Sequence, residues 1–325
     1  MGTWRWGIAG TGRIAADFAA DLVHVPSARI TAVASRTAER AEQFGAAVGA
    51  ARRHASYEAL AEDPDVDVVY VASPHSRHLA DSLLFLAGGK HVLCEKPLVM
   101  SVAQIEVLTA AAARSGRFVM EAMWSRFLPA YVEIARRLDA GAIGDPQFVD
   151  GSFGFRRPHD PAHRLFAPEL GGGATLDIGV YPIHLAQFVL GPPTAVVASG
   201  RIGPTGVDVA TAAVLTHTGG GLSQVAAAID TELACTARIS GTQGAIELPA
   251  FMHCPDSLVL RAAAGAATTI DAPRVGNGLH HQVEEVHRCL DLGLTESPVW
   301  PLALSRSVLE TTDAILTAIG LTPAA

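Results

Sequence analysis

A lysine stands at position 96, near the end of the stretch "GGKHVLCEKPL" (residues 88–98), in a chain that otherwise avoids lysine. Of 24 Lys and Arg together, only Lys90 and Lys96 are lysine. A guanidinium cannot release a proton near neutral pH. An ammonium can, when burial or positive neighbours lower its pKa. Lys96 follows an apolar strand-like run and precedes Pro97, with Glu95 beside it as a tether. The position therefore reads as one that needs a compact or titratable ammonium. The bland alternative is a surface Lys beside a turn.

A second group of reactive side chains lies in "GGGATLDIGVYPIH". Asp177, Tyr181 and His184 are spaced i, i+4, i+7 and share one face if the segment is helical. Pro182 is tolerated in a first turn, which starts the helix near Gly179 to Tyr181 and leaves Asp177 just before it. A tyrosine near an ammonium has its phenolate favoured, as a general acid/base requires. Taken singly, Tyr181 is equally a core residue, Asp177 a helix cap and His184 a packed imidazole. Their company with Lys96 favours chemistry.

"GIAGTGRIA" contains Gly10-x-Gly12-x-x-Ala15 between a strand-like run and a helical one. In that context the first Gly permits the tight turn and the second lets backbone approach a pyrophosphate. Ala15 allows close helix–strand contact, and the helix N-terminus favours the anion. Gly10, Thr11, Gly12, Arg13 and Ile14 thus form a phosphate loop, against the alternative of a structural βα turn. About twenty residues on, an NAD enzyme usually carries Asp or Glu. This chain has Ser35-Arg36, then Thr37 and Arg40. Arg stacks on adenine and pairs with a 2′-phosphate, so NADP(H) is expected, with NAD as the alternative.

The elements that would position these groups fall into two halves. Up to about residue 125, strand and helix patterns alternate: "RWGIAG", a helix from Arg13 to His24, "RITAVAS", a helix capped by Thr37, "VDVVYVAS", a helix from His78 to Ala87, "HVLCE", a helix from Ser101 to Ser115, and "RFVMEA". That alternation predicts a doubly wound parallel sheet. Lys96 then sits at a strand's carboxyl end, facing the crevice where such sheets bind ligands. After Arg126 one helix gives way to runs such as "QFVDGSFGF", "TAVVASGRI", "TAAVLTH" and "LSQVAAAI", with two late helices. The expected architecture is a Rossmann domain over 1–125 and an α+β domain over 126–325 with a large, predominantly antiparallel sheet. One face of that sheet would be open, which predicts a homodimer through it.

A chain of 325 residues with 49% hydrophobic and 17% charged residues is a well-buried globular chain of two domains. A net charge of −8 without a basic stripe argues against nucleic acid. No apolar run is long enough to span a bilayer, and no signal peptide is read at the start. Cys94, Cys235, Cys254 and Cys289 form no CxxC pair, so a reduced, cytoplasmic protein is expected. "HHQVEEVH" puts His280, Glu284 and His287 on one helical face, but there is no HExxH, and no metal site is expected. A non-catalytic NADP-binding sensor would keep the Gly loop and Arg36 yet need neither Lys96 nor Tyr181.

"GIAGTGRIA", "SPHSRH", "GKHVLCEKP" and "GGGATLDIGVYPIH" together resemble the glucose–fructose oxidoreductase/inositol dehydrogenase/MocA (Gfo/Idh/MocA) family over essentially the whole chain. "MEAMWSRFLP" and the "DIGVYP" form resemble the branch holding dimeric dihydrodiol dehydrogenases and NADP-dependent D-xylose dehydrogenases. The resemblance implies Lys96 and Tyr181 as catalytic pair, a cis Lys96–Pro97 bond, and Ser73, Pro74, His75 and His78 bordering the cofactor with Glu95. It places Trp124, Arg126 and Phe153 near nicotinamide or substrate and makes Asp177 a substrate or lysine partner. The inositol dehydrogenase branch has His where this chain has Tyr181, so proton transfer moves to Tyr181 and His184 becomes a substrate-side candidate without a defined role. The implied chemistry is hydride transfer between nicotinamide and a CH–OH carbon of a sugar or cyclic diol. Run in reverse, it is reduction of a keto sugar such as 1,5-anhydrofructose.

Overall fold

The computed structural model describes residues 2–263 and 265–322. The chain begins with β1 (Trp4–Ala9), α1 (Arg13–Asp21), β2 (Ala28–Ala34), α2 (Ala38–Val48), β3 (Arg52–His54), α3 (Tyr57–Ala61), β4 (Val68–Val71), α4 (His78–Ala87), β5 (His91–Glu95), α5 (Val102–Ser115) and β6 (Val119–Ala122). The six strands form one parallel sheet in the order β3-β2-β1-β4-β5-β6. Every residue of β4 and β6 is buried, as expected of strands covered on both faces.

Local chemistry sets the helix ends. Thr37 Oγ1 accepts from Arg40 N and Ser101 Oγ from Gln104 N, while Gly49 and Gly116 close α2 and α5 in the left-handed conformation. The strand order reverses direction between β1 and β4, so the ligand crevice lies beyond the carboxyl ends of these strands.

The second sheet follows α6 (Pro129–Asp139): β7 (Pro146–Gly154), then α7 (Val180–Leu190), β8 (Pro193–Ile202), β9 (Asp208–His217), β10 (Leu222–Ala228), β11 (Ala237–Gly241), β12 (Gly244–Leu248), β13 (Ser257–Ala262) and β14 (Ala267–Asp271). Its order is β14-β13-β12-β11-β7-β10-β9-β8, antiparallel except where β7 meets β10. A five-residue π-helical turn, Thr175–Gly179, leads into α7. Both pack on the inner sheet face. A Cβ on Gly151 would stand 3.2 Å from Pro182, and one on Gly179 would stand 3.3 Å from Ala227.

After β14 come α8 (His280–Asp291) and α9 (Leu302–Ala318). The chain divides into two compact units. One comprises the residues through Trp124 together with Val275–Ser305, and the other Ser125–Arg274 with the residues from Arg306 onward. The first unit thus takes back a segment that a single boundary near residue 125 assigns to the second. The return is anchored inside the first unit. Trp6 Nε1 donates to His287 Nε2 at 3.0 Å, and Asp21 accepts from Leu279 N at 2.7 Å. No helix among the described residues is long and apolar enough to cross a membrane.

Candidate active site

In the first unit, Gly10 has φ +110, and a Cβ there would lie 2.6 Å from Ala72 O and 3.3 Å from Ser73 N. The turn after β1 therefore presses directly on the turn after β4, which only glycine permits. Gly12 is the N-cap of α1, gives it no side-chain cap, and would meet nothing within 4 Å if it carried a Cβ. An uncapped helix N-terminus with open space before it fits a pyrophosphate. Arg13 is almost wholly exposed and pairs with Asp17 at 3.7 Å. Thr11 and Ile14 are half-buried, Ser35 is buried, and Arg36 and Arg40 are exposed just beyond β2.

The turns after β4 and β5 are joined by His78. Its buried ring places Nδ1 2.8 Å from Pro97 O and Nε2 2.9 Å from Ser73 O. Burial pulls its pKa down, against the two carbonyls. A neutral imidazole donates to one of them, and donation to both needs the charged ring. His78 thus reaches the crevice by holding its walls. Ser73, Pro74 and His75 are half-buried on that wall, with His75 and His78 ring centroids 5.5 Å apart.

The Lys96–Pro97 bond is cis. Lys96 is half-buried, and its charge acts on both His78 and Glu121. Glu121 is a residue that sequence reading missed. It is buried on β6 and accepts from Leu98 N at 2.9 Å and Trp300 Nε1 at 3.0 Å. Burial pushes its carboxyl pKa up, while those bonds and Lys96 oppose the shift. A carboxylate inside the otherwise apolar run "VMEA" was the available signal. Glu95, also buried, accepts a short hydrogen bond from Tyr70 Oη.

In the second unit, Tyr181 is buried near the start of α7 against an aromatic wall. Its ring centroid is 5.7 Å from Phe153 and 5.0 Å from His253, and Phe153 and His253 stack at 4.3 Å and 16°. His253 is the second missed residue. It is held by Ser125 Oγ, which donates to its carbonyl, and it sits in a turn where Phe251 has φ +64. Nothing in its local sequence signals this placement.

Asp177, in the π-helical turn, is buried and gripped by Arg164 through two bonds of 2.9 and 3.3 Å. Arg164, half exposed, is the third missed residue. His184 is packed between Tyr131 and Phe188, and burial, with Arg126 nearby, lowers its pKa to about 3. Arg126 places its guanidinium carbon 4.2 Å above the Phe188 ring. Trp124 is half-buried in a 3-10 turn, Trp124–Phe127, at the end of the first unit's leading segment.

Residues 4–123 match the model of an oxidoreductase family with an NAD-binding Rossmann fold, and residues 131–247 match the GFO/IDH/MocA C-terminal domain. The chain belongs to the Gfo/Idh/MocA oxidoreductase family. It is 39% identical over 328 residues to a trans-1,2-dihydrobenzene-1,2-diol dehydrogenase of Xenopus laevis, covering 97% of this chain and 98% of the relative. It is 40% identical over 305 residues to the protein of that name from Danio rerio, covering 90% of each. Among solved structures, a 3-ketoreductase from Actinomadura kijaniata in complex with NADP and TDP-benzene aligns with a TM-score of 0.88 at 28% identity, over 98% of this chain and 99% of that one. An aldose–aldose oxidoreductase from Caulobacter crescentus aligns with a TM-score of 0.89 at 26% identity, over 97% of each. This member of the family is an oxidoreductase with an NAD(P)-binding Rossmann domain.

Proposed function

We propose that the protein is an NADP-dependent dehydrogenase acting on a CH–OH carbon of a cyclic diol, in the manner its trans-dihydrodiol dehydrogenase relatives are named for. The observation that carries the substrate class is the aromatic wall of Phe153 and His253 beside Tyr181. A flat apolar ring bearing two hydroxyls has faces suited to such a wall and edges suited to a phenol. A sugar presents hydroxyls on every side and needs more polar partners.

The phosphate loop Gly10–Ile14, with Ser35, Arg36, Arg40, the turn Ser73–His75 and Glu95, is the set that would hold the cofactor. Arg36 and Arg40, exposed where a carboxylate would mark NAD, support the 2′-phosphate form. NADP, when bound, supplies the hydride acceptor. Tyr181 takes the hydroxyl proton, and Lys96 favours the phenolate that accepts it. Glu121 and His78 keep the turn carrying Lys96 in place. Arg164 holds Asp177 as the carboxylate that orients the substrate's second hydroxyl. In the reducing direction Tyr181 returns the proton. The enzyme is read as a cytoplasmic homodimer.

The test is to mix the protein with NADP⁺ or NAD⁺ and a panel of trans-dihydrodiols, aldoses and cyclic polyols, following reduced-nicotinamide absorbance. Turnover of a dihydrodiol with NADP⁺ is expected. Lys96→Ala and Tyr181→Phe should lower kcat/KM by about 10²–10⁴-fold, with NADP affinity kept in Tyr181→Phe. Tight NADP binding without turnover in either direction would make the chain a nucleotide-binding sensor. Turnover confined to aldoses would move the substrate class to sugars.

A further inference from the structure

At the far end of α1 from the phosphate loop, where the first turn of α8 returns to the first unit, three imidazoles and two carboxylates gather: His24, His280, His281, Asp21 and Glu284. The His280 and His281 ring centroids are 4.0 Å apart, and those of His24 and His280 are 5.1 Å apart. His281 Nδ1 lies 3.3 Å from Glu284 Oε2. One ligating atom from each of His280, His281 and Glu284 lies within 4.8 Å of the other two.

Polar satisfaction points to something missing from this cluster. The His280 side chain is 6% exposed, and its Nδ1 stands 3.9 Å from Asp21 Oδ2, beyond hydrogen-bond reach. That Nδ1 and His281 Nε2 are buried without a hydrogen-bond partner among the described residues. Buried ring nitrogens left unbonded are costly and are rarely kept without a ligand or water.

We propose that His280, His281 and Glu284 form a binding site for a divalent transition metal of the zinc type. Two imidazoles and a carboxylate suit zinc, cobalt or nickel, and not magnesium or calcium, which take oxygen ligands. The N-terminus of α8 carries a partial positive charge that opposes a cation. Glu284 and the adjacent Asp21 supply the negative charge that offsets it. Asp21 also accepts from Asn277 N at 2.9 Å and Leu279 N at 2.7 Å, so it fixes the turn that delivers His280 and places negative charge beside the site. The helical face His280/Glu284/His287 suggested by spacing does not form this group. His287 accepts from Trp6 Nε1 at 3.0 Å and contacts Ser27 Oγ at 2.9 Å, while His281 joins instead. The metal pins the returning segment to α1 and has no part in the hydride chemistry.

The experiment uses full-length, untagged protein stripped with EDTA. Zn²⁺ is titrated by calorimetry and Co²⁺ by visible absorption, with thermal unfolding before and after. One equivalent of Zn²⁺ per chain at a Kd of about 10 µM or tighter is expected, and a Tm raised by several degrees at about 100-fold excess over Kd. His281→Asn with Glu284→Gln, both nearer the surface than His280, should weaken Zn²⁺ at least about tenfold and remove the Co²⁺ spectrum. NADP affinity should be unchanged in that variant, which shows that it folds. Substoichiometric binding at about 100 µM Zn²⁺, or unchanged affinity in the folded variant, overturns the proposal.

Discussion

The two lysines of this arginine-rich chain have opposite fates, and tertiary surroundings decide which is which. The Lys90 ammonium is buried and donates to the carbonyls of Asp63 and Val66, a task for a compact three-donor group. Lys96 stays half-buried at the crevice end of β5, where a ligand can reach it. The same division separates the carboxylates. Asp208 is buried beneath the π-helical turn, its Oδ2 accepting from Thr175 N at 2.7 Å and Thr175 Oγ1 at 2.6 Å, and burial raises its pKa from 3.8 to about 6. A raised carboxyl favours the fold while both states are protonated, and that contribution is lost as pH climbs through about 6. Two pKa units correspond to roughly 3 kcal/mol. In Asp208→Asn one amide oxygen keeps the Thr175 pair and the variant loses the bond from Ala174, so its absolute stability falls while its pH slope flattens. Urea unfolding at pH 5 and 7.5 should show wild type losing about 1–1.5 kcal/mol more than the variant over that interval, the rest of the loss lying between pH 3.8 and pH 5. Equal losses would mean that Asp208 does not titrate there.

Between strand and helix, the turn after β1 separates folding from binding in two glycines one residue apart, Gly10 and Gly12. Gly10 is there for the fold: its φ of +110 and the Ala72 carbonyl 2.6 Å from any Cβ leave no room for alanine. Gly12 is in ordinary extended backbone, with φ −83 and ψ −179 and empty space where a Cβ would go. Gly10→Ala should therefore destabilise the protein by roughly 1–3 kcal/mol. Gly12→Ala should lower Tm by only a few degrees, since Ala is a poorer N-cap than Gly by up to about 1 kcal/mol and a chain of this size shifts by about 2–4 °C per kcal/mol. It should nonetheless weaken dinucleotide binding about tenfold or more, because the new methyl fills the pyrophosphate's place. Thermal melts beside NADP(H) fluorescence titration check both. A Gly12→Ala protein that binds normally would show the cofactor entering elsewhere.

At the scale of the whole molecule, the second sheet presents a face whose apolar side chains are exposed among the described residues. The strand register lines Val197, Val214 and Gln224 in one row and Ala195, Thr216 and Leu222 in another. Val197 is 73% exposed and Val214 46%. Beyond β7 the same face turns ionic, with Glu247 between Arg238 and Arg261. Half apolar and half paired charge is the texture of a surface that meets its own copy. Val214→Lys, which places a charge at the centre of the apolar rows, is expected to convert a dimer to a monomer in sedimentation or light scattering, with each chain's fold retained. A wild-type monomer at micromolar concentration would remove this reading.

The fold was largely legible because its signals are local. Strand alternation, N-caps such as Thr37 and the glycines after β1 act within windows of a few residues, and so does a lysine ending an apolar strand. The resemblance carried by those stretches led to the family that the whole chain matches. The strands that reading passed over, β3 ("RRH") and β14 ("ATTID"), are edge strands without an apolar run. What tertiary structure alone decided are the long-range pairings: residues 275–305 returning to the first unit, Glu121 set near Lys96, His253 stacked on Phe153 beside Tyr181, and His281 taking the place of His287. Spacing cannot specify such partners. A contact across dozens of residues depends on which faces the packed sheets and helices turn toward each other, and one-dimensional periodicity says which face is buried but not what it meets.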